Sequence, residues 1–395
     1  MKLADVKKEL HEVLYIEDDG MIDILLATVI ANSIAESDPV WLMVVGASSG
    51  GKSQLLRPFA TGNPEFIHRI DDMTENSLIS GTKTEEVSLL AKIKEKGILL
   101  ISDFTVIFSK SPETKNAILG QLRLVYDGEY TRHFGNREPY TWKGHLGLIA
   151  GATPSIYRRM EEVADMGERF IYYRMKEYDA EKAMDFVKKN TLSSKEIDEK
   201  IATIYKDYVT SIMVGRTEVE VDESTNNILA EVTPLVTQLR TPVHIDQRWG
   251  YVDEIPIREV PFRVFKQLKT IAKSLTLMQY HEDGSRVLSD DKVKALKWCA
   301  YSLGNEERRK TLEAVVGCDC TISAHDIAVY LGFETTIADR YISQLTAIGV
   351  LTMIGSKESN GEKYKVTNGN FTKFVRELDE QVKVEEEDRE FVSKF

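Results

Sequence analysis

The sequence contains no apolar run of about 18 residues or more, so no segment reads as a helix that crosses a bilayer. Its opening, MKLADVKKELHEV, lacks the apolar stretch of a secretory signal. Only three cysteines occur, Cys299, Cys318 and Cys320. An odd, low number argues against a disulfide framework and fits the reducing cytoplasm. Cys318-x-Cys320 with His325 does not have the spacing of a zinc site, and no fourth ligand follows at a usual distance, so these read as ordinary thiols. Net positive charge is also missing. A formal charge of -12 excludes a broad basic coat for nucleic acid, while leaving room for basic residues gathered in a channel. Much of the acidity lies in ELDEQVKVEEEDRE, Glu377 to Glu390, which makes residues 371–395 an acidic tail. Such a run reads as a solvated segment, with an interaction tail as the alternative. No internal repeat and no low-complexity linker divides the chain.

What is present is enough for two or three structural units: 395 residues, 42% of them hydrophobic. Residues 1–37 read as helices, and MIDILLATVIANSIA (Met21 to Ala35) is apolar on nearly every side, as in a buried helix. Four continuous apolar runs of strand length follow: VWLMVVG from Val40, GILLIS from Gly97, LGLIAG from Leu146 and FIYYRM from Phe170. Runs of this kind mark strands covered on both faces, and helical stretches lie between them, notably Glu113 to Tyr126. The expectation is an α/β core with a parallel sheet over residues 38–178. Helical periodicity then dominates residues 179–304, interrupted by the polar segment Thr241 to Glu254. In residues 305–370, ISAHDIAVYLGF and TIADRYISQLTAIGVL read as two helices. LTMIGSKESNGEKYKVT then reads as two strands around Asn360-Gly361, the pattern of a winged helix.

The most specific motif is GASSGGKS: Gly46, Ala47, Ser48, Ser49, Gly50, Gly51, Lys52 and Ser53. It matches G-x-x-x-x-G-K-[ST] and stands where that motif belongs, after a buried strand and at the start of a helix. Glycines let successive N–H groups curl around phosphates. The Lys52 ammonium reaches the β and γ oxygens, the Ser53 hydroxyl ligates Mg²⁺, and the helix N-terminus faces the anion. A second strand should end in acid beside the phosphates, and GILLISDF offers Asp103. Two alignments compete. In one, Ser102 takes the place of the metal-linked acid and Asp103 that of the catalytic base. In the other, Asp103 is the metal-linked acid and Phe104 replaces the base. One carboxylate of the expected pair is missing in either.

From here the layout resembles the AAA+ ATPases, and among them the minichromosome-maintenance helicases and the helicase-type ATPases of phages and mobile elements. The resemblance covers roughly residues 38–280. It implies an ATP- and Mg²⁺-dependent motor that assembles into a homo-oligomer, a hexamer in the helicases. EYTRHFGNREPYTWKG resembles the hairpin that such helicases push into the ring channel. LGLIAGATP resembles the sensor-1 strand, with Thr153 in place of the usual Asn. MGERF resembles the arginine-finger segment, giving Arg169. EVPFRVFKQLKTIAKSLTLM resembles the lid helix with the sensor-2 arginine, giving Arg263.

Partners follow from the same layout. Arg132, His133, Arg137 and Lys143 of the hairpin are candidates for tracking DNA phosphates, with Phe134 and Tyr140 to stack on bases. Thr335, Thr336, Arg340 and Gln344 are candidates for a DNA-facing helix, with Lys357, Lys363 and Lys365 on the wing. The same module reads equally as a protein-contact element, given Asp339 and its modest basicity. The expected function is a cytoplasmic, DNA-directed ATPase motor, most simply a helicase. Two rivals are a remodeller or helicase loader and a nucleotide-switched regulator that binds duplex through the winged helix.

Overall fold

The four apolar runs become strands of one parallel sheet: β1 (Trp41–Val45), β3 (Lys96–Ile101), β6 (His145–Ala152) and β7 (Phe170–Arg174). A fifth strand, β2 (Ile67–Ile70), completes it in the order β2-β3-β6-β1-β7. Every pairing is parallel, from Ile67↔Ile98 at one end to Trp41↔Phe170 at the other. The structure is a computed structural model that describes residues 1–34, 38–48, 50–80, 88–135, 138–159, 169–176, 179–246, 252–318, 321–332, 334–354 and 362–379.

Burial explains the strand sequences. All five residues of β1 are buried, as are all five of β7, although β7 lies at the sheet's edge. That edge is covered by helix α11 (Asp290–Tyr301): Trp298 Nε1 donates to the Arg174 carbonyl at 2.8 Å. β2 is the other edge and only partly buried, so its short IHRI sequence carries no continuous apolar run.

Helices cover the sheet. Helix α1 (Leu3–Val13) is amphipathic, whereas α2 (Asp19–Ile34) is buried on nearly all sides, as its composition requires. Asn32 at the end of α2 is satisfied inside the core. Its Nδ2 donates to the carbonyls of Thr28 and Val40, and its Oδ1 accepts from the Val40 N–H. Helix α3 (Lys52–Gly62) follows the GASSGGKS loop and packs on α8 (Ser194–Val214), where Phe59 stacks on Tyr205 with centroids 3.8 Å apart. Short helices α4 (Leu89–Ile93) and α5 (Thr105–Phe108) precede α6 (Pro112–Tyr126), which Ser111 caps by accepting from the Thr114 N–H. Between α6 and β6 the chain makes an antiparallel hairpin, β4 (Glu129–Arg132) and β5 (Tyr140–Lys143).

After β7 come α7 (Ala180–Lys189), α8, α9 (Glu223–Arg240), α10 (Phe262–Asp283) and α11. The chain forms two compact units. One comprises Met1–Asn227 with Phe265–Cys299, and the other Ile228–Val264 with Ala300–Phe395. The division falls inside α9 and α10, so the helical stretch 179–304 is shared between the units rather than standing alone.

The second unit contains α12 (Glu306–Gly317), β8 (Ile322–Ser323), α13 (Ala324–Leu331), α14 (Thr335–Ala347), β9 (Leu351–Ile354), β10 (Lys363–Val366) and α15 (Gly369–Asp379). Its antiparallel strands run in the order β8-β10-β9. Arg308 is a buried tie within it: Nη1 donates to the carbonyls of Leu239 and Thr241, and Nε to Gln344 Oε1 at 2.7 Å. Asn360-Gly361 and residues 380–395 lie outside the described residues. The expected tail of residues 371–395 is corrected at its start: residues 371–379 belong to α15, where Phe371, Phe374, Val375 and Leu378 are buried.

Candidate nucleotide site

In a fully parallel sheet all strands end on the same edge, and ligands of such sheets collect outside that edge. Here the order matters, because β6 lies between β1 and β3. The Gly46 N–H donates to the Ala152 carbonyl at 3.2 Å, and the Phe104 N–H donates to the Gly151 carbonyl at 2.8 Å. These bonds hold the turn after β1 and the turn after β3 against the end of β6. The GASSGGKS loop, Ser102-Asp103 and Thr153 are thereby brought to one place.

The loop's glycines have physical reasons. A Cβ on Gly46 would lie 2.8 Å from Met175 Sδ, so a side chain there would have to displace Met175. Gly51 has φ +75°, the left-handed region, and is the N-cap of α3. The Lys52 side chain turns back over the loop, where Nζ donates to the carbonyls of Gly46 and Ala47 at 2.7 and 2.5 Å. Burial holds the basicity of Lys52 below that of a free lysine, and the Asp103 carboxylate pulls it back up. Ser53 is exposed at the start of α3, beside the free N–H groups of its first turn. Ser49 lies outside the described residues.

Asp103 is exposed at the end of β3. Its Oδ1 accepts from the N–H and the hydroxyl of Thr105, at 2.9 and 2.5 Å. One oxygen therefore caps the turn, while Oδ2 has no hydrogen-bond partner among the described residues. Ser102 Oγ is buried with no hydrogen-bond partner among them. Phe104 is fully buried against Phe108 and Phe170, so it faces the core. Thr153 is half-buried and shares a hydrogen bond with Ser155 Oγ at 2.7 Å.

Beside Gly50 and Gly51 opens a cavity of about 300 Å³ that has no motif in the sequence. It lies between the segment joining α1 to α2 and helix α7, with Leu14, Asp18, Gln54, Phe186 and Asn190 in its walls. That segment is strapped down at both ends. Asn190 Nδ2 donates to the Val13 carbonyl at 3.0 Å, and the Tyr173 hydroxyl lies 3.0 Å from both oxygens of Asp18. Burial raises the Asp18 carboxyl above its ordinary range, against Lys176 at 3.9 Å. Tyr15 and Phe186 face each other with centroids 6.2 Å apart. Apolar walls with a few polar groups, next to the GASSGGKS loop, have the chemistry that would suit a base and sugar. The sequence signal available was only the apolar spacing of Val13, Leu14 and Ile16.

The arginines behave differently from the sequence expectation. Arg169 is 4% exposed, at the start of β7, which is the opposite edge of the sheet from Gly46. Its Nη2 contacts both oxygens of Asp127 at 2.9 Å, and its guanidinium lies 5.1 Å from the Tyr126 ring. Arg263 lies in the first turn of α10, within the second unit, and is not among the cavity's lining residues.

The expected hairpin is present, but Arg132 is used within the chain. It donates to the carbonyls of Glu75 and Ile79 and, at 2.6 Å, to Asn76 Oδ1. Lys143 is exposed and pairs across the ladder with Glu129 at 3.3 Å. His133 is exposed, and Arg137 lies outside the described residues. On α14, Thr335, Thr336 and Arg340 are exposed, whereas Gln344 is buried against Arg308 and is no surface contact. Lys363 and Lys365 are exposed on β10, and Lys357 lies outside the described residues. Cys318 is half-buried, and Cys320 lies outside the described residues. Among the described residues no group of three or more His, Cys, Asp or Glu is placed to hold a metal, and no helix is long and apolar enough to cross a membrane. No protein-family model matches the chain, and no curated protein matches it either.

Proposed function

We propose that the chain is an ATP-hydrolysing motor of AAA+ organisation, with a winged helix in its second unit. The observation that carries this reading is the meeting of Lys52, Asp103 and Thr153 at one edge of the sheet, with β6 between the other two strands. A nucleoside triphosphate would lie with its phosphates in the loop and its base in the cavity under Val13–Asp18. Lys52 would exchange its two carbonyl partners for phosphate oxygens, a charge-assisted contact that repays its desolvation. Thr153 would hold the attacking water, and the free oxygen of Asp103 would accept its proton.

The donor set fits magnesium. Ser53 Oγ and Asp103 are exposed oxygen ligands at the phosphate edge, and Mg²⁺ uses one or two protein oxygens together with phosphates and water. When bound, the ion neutralises charge on the phosphate oxygens. Asp103 would serve either as the metal-linked acid or as the base, because the Ser102 hydroxyl is buried and out of reach of a metal's water shell. The trans arginine finger is not carried into this reading, because Arg169 is held by Asp127.

The substrate of the motor is DNA on this reading, gripped by the β4–β5 hairpin in a homo-oligomer. A second reading, a protein remodeller or helicase loader, is favoured by one observation: Arg132 and Lys143, two of the hairpin's cations, already have partners in their own chain. ATPase rates with and without single-stranded DNA separate the two, on material sized by light scattering and with Lys52→Ala as control. Stimulation by DNA supports the DNA motor. Turnover indifferent to DNA favours the remodeller, and no turnover above the control removes both.

A further inference from the structure

Between β-bridged Val252 and helix α10 the chain runs DEIPIREVPF, Asp253 to Phe262, with no helix or strand before α10 begins. Its charged centre is anchored. Glu259 pairs with Arg240 at 2.5 Å, and Arg258 Nη2 donates to the Ile348 carbonyl at 2.9 Å. The apolar residues point out: Ile255 and Ile257 are 92% and 88% exposed, Phe262 is 74% exposed, and Val260 is also exposed. Pro256 and Pro261 fix their own backbone angles, so this display is preorganised rather than a loose loop. Four large apolar side chains held in water over eight residues are a docking feature, not ordinary surface scatter.

The chain offers a complementary surface. Helix α7 has no buried residue, and Met184 and Val187 are both more than half exposed, with Leu192 following. Val187 and Leu192 also line the candidate nucleotide cavity, so the outer side of that wall is open. Charge agrees as well. Asp253 and Glu254 precede the apolar segment and make no ion pair with described residues. Lys189 at the end of α7 likewise has none, whereas Lys182 and Lys188 are paired within their own helix.

We propose that Ile255, Ile257, Val260 and Phe262 of one copy seat on α7 of a second copy, with Glu254 against Lys189, and close the outer wall of that copy's cavity. The two patches differ, so the contact is heterologous and repeats from copy to copy into a ring or a filament. The proposal rests on the nucleotide reading only for what the contact encloses; association itself is measurable without turnover.

The test joins cross-linking with mass. Ile257→Cys and Val187→Cys in one chain, under mild oxidation, should give a ladder of disulfide-linked multimers that reductant collapses; neither single variant should. Ile255→Asp with Ile257→Asp should lower the light-scattering mass toward the 44.8 kDa monomer. Both positions are so exposed that folding should be unaffected, which circular dichroism checks. Glu254→Lys should weaken association several-fold, and adding Lys189→Glu should restore part of it. A wild-type monomer at all concentrations, with or without nucleotide, overturns the proposal. So does a cross-link formed only within one chain, or a mass unchanged by the aspartates. If these variants behave as expected while Lys52→Ala leaves ATP binding intact, the interface stands and the nucleotide reading falls.

Discussion

Arg169 and Asp127 form a two-pronged ion pair, 2.9 Å to each carboxylate oxygen, at the end of the sheet remote from Gly46 and the GASSGGKS loop. The arginine side chain is buried while Asp127 remains half in water. Removing the arginine therefore strands no buried charge, and the cost lies below that of breaking a fully buried pair, at about 1–2 kcal/mol. Arg169→Ala and Asp127→Ala should both lower the urea midpoint. Arg169→Ala should keep most of its turnover at temperatures where it is folded, and mixing it with Lys52→Ala subunits should add none. Rescue in a mixture shown to co-assemble would return Arg169 to the neighbour's site.

Lys52→Ala should abolish nucleotide binding, read by calorimetry, and leave the far-ultraviolet spectrum unchanged. The side chain contacts the loop's own carbonyls rather than the apolar core. Its lowered basicity also makes a stability statement. Between its folded-state value and the ordinary 10.5, the unfolded chain binds the proton more tightly, so stability rises with pH across that window. Lys52→Met should remove this rise from the difference between the two proteins' urea midpoints. Identical pH slopes for both would show that burial does not perturb this lysine.

Asp103→Asn should preserve the fold, because the amide oxygen can still accept from the Thr105 N–H and hydroxyl. It removes the charge that would accept a proton or hold metal, and turnover should fall about 10²–10⁴-fold. Nucleotide affinity should change far less. Unchanged turnover would move the base to another residue.

Phe186 faces Tyr15 across the mouth of the cavity. On the proposed placement of the nucleotide base, Phe186→Ala would remove apolar contact with it in ground and transition states alike. KM for ATP should therefore rise about tenfold with kcat nearly unchanged. A fall in kcat with KM constant would place the base elsewhere.

The sequence made parts of this architecture readable and hid others, for physical reasons. The inner strands announce themselves because strands covered on both faces must be apolar throughout, as in Trp41–Val45. β2 lies at an edge, and its IHRI pattern is too short and mixed to register. The GASSGGKS loop is legible as a loop between strand and helix because its glycines answer local constraints: the φ of Gly51 and the approach of Met175 to Gly46. The cavity is not, since its walls come from segments over 170 residues apart in sequence, as in the Asn190–Val13 bond (|i−j| = 177). The same distance problem misdirects the reading of arginines. Arg132 and Arg169 look like free cations until folding brings Asn76 and Asp127 to them. Gln344 looks like a contact residue on a surface helix until Arg308 claims its side-chain oxygen.

Whether DNA meets the hairpin or α14 decides between motor and regulator, and the internal partners of Arg132 change how this must be tested. Arg132→Ala would release the loop at Glu75–Ile79 and confuse binding with folding. Lys143 is the better probe. It is exposed, and its pair with Glu129 contributes little to stability. A cation that contacts a single strand's phosphates contributes about 0.7 to the slope of log affinity against log salt. For a motor, Lys143→Ala with His133→Ala should weaken single-strand binding and flatten that slope by roughly this amount for each phosphate no longer neutralised. Basal ATPase should persist, because neither residue touches the loop, and strand displacement should fail. For a regulator, Arg340→Ala should instead weaken duplex binding, and the hairpin pair should have no effect. The structure gives Arg340 an exposed place beside Asp339, whose carboxyl is raised by burial and by Glu362. That local acidity disfavours a phosphate contact on α14, so the expected loss of affinity is at the hairpin. Salt-titrated affinities for both variants, on single-stranded and duplex DNA, measure it. Weakening confined to Arg340→Ala would make α14 the DNA-binding element and any nucleotide turnover its switch.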